Sequence, residues 1–122
     1  MNCTASFRSI EEVNSLLQRD TRMINLQQGY LMFIGHKKCD IELFLLAKEL
    51  LSNITNCQYY IENTLSSDKD LKWKEKDIIY MRALSLMSSS IDALKNRLPE
   101  LRKLSVCNAQ EHKSILDQIS KM

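Results

Sequence analysis

Apolar residues recur along most of this chain at three- and four-residue steps, the spacing that gathers them on one side of an α-helix. The first such stretch runs through Ile10, Val13, Leu16, Leu17, Met23, Ile24, Tyr30, Leu31 and Ile34. It is preceded by Ser9-Ile10-Glu11-Glu12, a capping box in which Ser9 and Glu12 satisfy otherwise orphan amides, and is closed by Gly35. Leu26, Met32 and Phe33 widen its apolar arc beyond what one neighbouring helix would cover. A second helix is expected from a cap at Asp40 to Ser66, with Leu43, Phe44, Leu46, Ala47, Leu50, Leu51, Ile54, Cys57, Ile61 and Leu65 on one stripe. Lys48, Glu49, Ser52, Asn56 and Asn63 occupy its other side.

Ser67-Asp68-Lys69-Asp70 reads as the cap and acidic first turn of a third helix. That helix carries Trp73, Tyr80, Ala83, Leu84, Met87, Ile91, Leu94 and Leu98 on one face and ends or kinks at Pro99. Pro99 also suits the first turn of a fourth helix, whose stripe is Leu101, Leu104, Ile115, Ile119 and Met122. Asn108, Glu111 and His112 interrupt that stripe, so the fourth helix is expected to pack least tightly.

Only two glycines and one proline are present in 122 residues, which leaves the long periodic stretches free to stay helical. The expected fold is therefore all-α: an elongated antiparallel up-down bundle of three long helices plus a shorter, less buried C-terminal fourth helix. Residues 1–122 read as one domain, with 1–8 as a flexible tail. This outline resembles spectrin-like and syntaxin-type amino-terminal bundles in shape alone, and such a likeness transfers no function. Gly29, inside the most apolar part of the first helix, reads as a tolerated weak point in preference to a site of close helix approach.

Charge narrows the functional classes. Seventeen Lys and Arg against fifteen Asp and Glu leave a net charge of +2, and the lysines at 69, 72, 74 and 76 alternate with Asp68, Asp70, Glu75 and Asp77. This is the pattern of a solvated helix face and carries no specific nucleic-acid signal. No apolar run is long enough to span a membrane, and no secretory leader is recognisable, so an intracellular, cytoplasmic or nuclear protein is expected. Four widely spaced cysteines, Cys3, Cys39, Cys57 and Cys107, then read as reduced thiols. The sequons at Asn2 and Asn53 have no chemistry attached in that compartment.

The search for catalysis and cofactors is negative. His36 and Cys39 have a zinc-ligand spacing, with Cys107 and His112 as the conceivable second pair. On a continuous fourth helix, however, those two lie about 12 Å and 20 Å along the bundle from the loop holding His36. Zinc needs four bonds of about 2 Å, so no metal or other cofactor is expected. Ser88-Ser89-Ser90 sits within a helix with no strained elbow, and no phosphate-loop, dinucleotide or zinc-protease motif occurs. Trp73 and Tyr80, one heptad apart, read as ordinary core packing.

These readings lead to a non-enzymatic interaction or adaptor subunit that packs helix against helix with another helical protein or with itself. The expected partner-binding residues are Met23, Leu26, Tyr30, Met32, Phe33, Leu101, Leu104, Ile115 and Ile119. Asp20 and Gln27, polar residues seven apart on the apolar face of the first helix, are candidates for fixing register or partner choice. The competing classes are a secreted four-helix ligand of cytokine type, for which the sequons and cysteines speak, and a small all-α enzyme whose groups converge only in space.

Overall fold

The computed structural model describes residues 20–37 and 39–122 together with Glu11 and Ser15. The capping box at Ser9, the apolar positions from Ile10 to Leu17, the tail expected at 1–8 and Cys3 lie outside the described residues. The described chain is all-helical: α1 (Thr21–Gly35), α2 (Asp40–Asn63), α3 (Trp73–Asn96), α4 (Leu98–Arg102) and α5 (Ala109–Ser120), with a 3₁₀ turn at Leu65–Ser67.

The longest shared surface joins α1 to α2. Cys57 Sγ donates to Met23 Sδ at 3.3 Å, Asn53 Nδ2 donates to Asn25 O at 3.0 Å, and Gly29 faces Leu50 and Asn53. Residue numbers rise along α1 as they fall along α2. At the far end of α1 the Arg97 guanidinium lies over the Phe33 ring at 5.1 Å and donates to Phe33 O at 2.9 Å, tying the end of α3 to the end of α1. Leu26, Phe33, Ala47, Leu50, Cys57, Ile79, Ala83, Leu94, Leu101 and Ile119 form the most deeply buried part of the core between these elements. Ser90 is buried with them, its hydroxyl satisfied by Leu86 O at 2.7 Å.

Gly29 has the second of its two roles. A Cβ placed on it would meet Asn53 Nδ2 at 2.8 Å, so the absent side chain lets α2 approach and leaves the buried Asn53 amide room for its bond to α1. Backbone conformation is not the reason, because Gly29 has no positive φ.

Four element boundaries differ from those the pattern predicts, and each follows from a local polar contact. The first helix does not run on through Asp20. That residue is extended (φ −117, ψ 122), its Oδ1 accepts from Arg22 N at 2.7 Å, and its carbonyl accepts from Met23 and Ile24 N, so it caps a new helix. The second helix ends at Asn63 and not Ser66, tightening into the 3₁₀ turn. Ser67–Asp70 do not form the cap and first turn of α3; Asp68 Oδ1 accepts from Asp70 N at 2.9 Å in a turn that drives Leu71 into the core, and α3 starts at Trp73 with Glu75 Oε1 accepting from Lys72 N. The fourth helix is split. Lys103 N and Leu104 N bond back three residues, the chain leaves helical geometry, and Asn108 restarts it by accepting from Glu111 N at 3.0 Å.

Candidate helix-docking groove

The short α5 decides where this molecule is open. It touches both α2 and α3, and it runs in the same direction as α2: Lys48 Nζ meets Glu111 Oε1 at 2.9 Å, while Ile115 and Gln118 border a cleft with Leu51 and Thr55. Ile115 and Ile119 are buried in that seat. Its register is set by His112, whose Nε2 donates to Leu101 O at 2.6 Å and whose ring meets Phe44 edge-on at 5.8 Å.

α5 ends at Ser120, whereas α2 and the turn after it continue to Ser67 and α3 begins at Trp73. The space between α2 and α3 therefore extends beyond α5 as an open groove lined by Ile61, Leu65, Ser66, Trp73, Lys76, Asp77 and Tyr80. Trp73 is 71% exposed and Tyr80 40%. Leu84, one turn on along the same row, is 41% exposed. At the turn end Lys76 Nζ donates to Ser66 O at 2.9 Å, holding the two walls together, and Lys74 Nζ lies 5.7 Å from the centre of the Trp73 ring.

The core packing expected for Trp73 and Tyr80 is thus corrected. The buried stripe of α3 is Ile79, Ala83, Ser90 and Leu94, and the row through Trp73, Tyr80 and Leu84 is turned toward the position a longer fourth helix would fill. The sequence carries a signal for where α5 begins, the Asn108-to-Glu111 capping pattern, and none for the exposure of this row.

The residues expected to bind a partner fall elsewhere. Met23, Leu26, Phe33, Leu101, Ile115 and Ile119 are buried within this chain's own core, so as folded they present no surface. Tyr30 and Leu104 are half-buried, and Met32 is exposed. Asp20 serves as the α1 cap and pairs with Arg22 at 3.4 Å, which gives its polarity a local structural role. Gln27 is exposed, on a hollow between α1 and α3 bordered by Met23, Arg82, Ser85, Leu86 and Ser89.

The zinc argument used the rise of one continuous helix, and Cys107 in fact sits in the turn between α4 and α5. His36 Nε2 faces Cys39 O at 3.3 Å and His112 is held by Leu101 O. Among the described residues no three His, Cys, Asp or Glu side chains converge. Burial, with a smaller contribution from the negative charge of Asp20, raises the Cys57 thiol from 9.0 to about 11, which leaves it protonated and a poor nucleophile at neutral pH. Among the described residues no helix is long and apolar enough to cross a membrane. No family model, curated protein or solved structure matches this chain.

Proposed function

We propose that this protein is a non-enzymatic interaction subunit that receives an amphipathic helix of another protein in the groove beyond α5. The observation that carries the reading is the exposure of Trp73 and Tyr80 side by side on the row that α5 covers further along. Aromatic side chains of this size dominate helix-binding interfaces, because each buries a large area at the cost of few rotatable bonds. The occupant is inferred from continuity: α2 and α3 already seat one helix, α5, and the groove prolongs that seat. The helices are read as an antiparallel up-down bundle whose fourth strut is completed in trans.

The same reading keeps the chain in a reducing compartment. Among the described residues Cys39, Cys57 and Cys107 form no disulfide, and the sequon residue Asn53 is buried with its amide committed to Asn25 O. A glycan on Asn53 does not fit this fold.

Trp73→Ala and Tyr80→Ala test the proposal. Trp73→Ala is expected to change folding stability by less than about 1 kcal/mol, since that side chain is largely in water, whereas Tyr80→Ala, with more than half of its surface covered, is expected to cost about 1 to 3 kcal/mol and is compared at a temperature where both chains are folded. Each is expected to weaken association with the partner purified from the native cell at least tenfold, the scale of an interface hot spot. Full retention of the complex by both variants would remove the groove from the account.

A further inference from the structure

We infer that the hollow between α1 and α3 is a binding site for a phosphate group, free or as the terminal monoester of a small metabolite, with the Arg82 guanidinium as its anchor. This site goes beyond the helix-docking reading and does not rest on it. Its walls are two rows: Met23 and Gln27, one turn apart on α1, and Arg82, Ser85, Leu86 and Ser89 on α3. The α3 row lies on the side of that helix away from Tyr80, so hollow and groove are separate surfaces. Buried Met23 and half-buried Leu86 give the hollow an apolar base, and its volume is about 160 Å³. The other four lining side chains are polar, and none of the six is a carboxylate.

The polar groups of this hollow are donors left without acceptors. Among the described residues Arg82 has no ion pair, and Gln27, Ser85 and Ser89 have no side-chain hydrogen bond. Other helical hydroxyls in the molecule turn back on their own backbone: Ser90 donates to Leu86 O at 2.7 Å, Thr55 to Leu51 O at 3.1 Å and Ser120 to Leu116 O at 2.8 Å. Ser85 and Ser89 make no such bond, so both hydroxyls are available to a ligand. With two parallel N–H groups from the guanidinium and an amide from Gln27, about five donors border one space. A carboxylate offers two oxygens in one plane. A phosphate offers three or four in a tetrahedron, which donors arriving from two helices can meet together. At about 30 Å³ per water the hollow has room for about five waters, so a phosphate fits and any organic remainder extends through the open side. Gln27 and the Ser88-Ser89-Ser90 run, both conspicuous in the sequence, thereby acquire a common role.

The test is a two-dimensional amide NMR titration of the full chain at constant ionic strength, with inorganic phosphate, glycerol phosphate and acetate as probes. Saturable shifts centred on residues 27, 82, 85 and 89 are expected for both phosphates, with a dissociation constant of about 1 mM. Acetate is expected to bind at least about threefold more weakly, having fewer oxygens for the same donors. Arg82→Gln is expected to weaken phosphate binding at least about tenfold and Ser89→Ala about threefold. Arg82 is exposed and holds no ion pair, so its replacement leaves the fold intact, which the rest of the spectrum confirms. Lys113→Gln, which removes an exposed cation on α5, is expected to leave binding within about twofold. Tighter binding of glycerol phosphate would assign the site to a metabolite, and equal or tighter binding of inorganic phosphate would assign it to the free ion. Shifts that never saturate, equal affinity for acetate, or undiminished binding by Arg82→Gln would overturn the site and leave helix docking in the groove untouched.

Discussion

Gly29 and Asn53 form a pair whose energetics run against helix propensity. Alanine is worth about 1 kcal/mol over glycine inside a helix. Here the added Cβ would push on a buried amide whose loss of a partner costs about 1 to 3 kcal/mol. Gly29→Ala is therefore expected to destabilise by about 1 kcal/mol on balance. In an Asn53→Ala background the same change is expected to become neutral or stabilising, and denaturant melts of the four chains in the cycle measure it. Cys57 gives a second prediction at this scale. Below pH 9 folded and unfolded chains both hold its proton; between 9.0 and about 11 only the unfolded chain releases it, so stability falls as pH rises through that window. Urea midpoints at pH 8 and pH 10 are expected to differ more for the parent chain than for Cys57→Ala, which shares every other titrating group. An equal fall in both would contradict the assignment.

At the scale of elements, short polar side chains set the boundaries that hydrophobic period alone does not. α2 was legible because its stripe from Leu43 to Cys57 meets the core without interruption, and its observed span is Asp40–Asn63. Asp20 and Asn108 were read as polar interruptions of a continuous face, when each is the N-cap of the helix that follows it. In the sequence the apolar spacing stays in phase on both sides of each residue, which is why period alone could not reveal the cap. Asp20→Leu separates the two roles. Loss of the cap is expected to cost about 1 kcal/mol in stability while partner affinity stays within about twofold. Undiminished stability with altered association would restore Asp20 as a specificity residue. The zinc reasoning shows the same dependence, since its distances assumed that residues 99 to 122 form one helix.

For the whole molecule, the expectation of an all-helical chain holds, and most of the residues expected to bind a partner are buried. A broad apolar arc on the first helix suggested an interface, yet Met23, Leu26, Gly29 and Phe33 are covered because both α2 and α3 pack on that helix. Which of several apolar rows stays open depends on how the helices seat against one another, a tertiary quantity that no single stripe encodes. Here Trp73, Tyr80 and Leu84 stand exposed on α3, beyond the seat of α5 (Ala109–Ser120). The most direct test of that claim places a photoreactive residue at position 80, with a control at the exposed position 49, in the full chain within its native cell. The account predicts crosslinking at 80 to one helical segment of a partner, lost with Trp73→Ala, and none of that segment at 49. An equal yield at both positions, or no crosslink at 80, would contradict it.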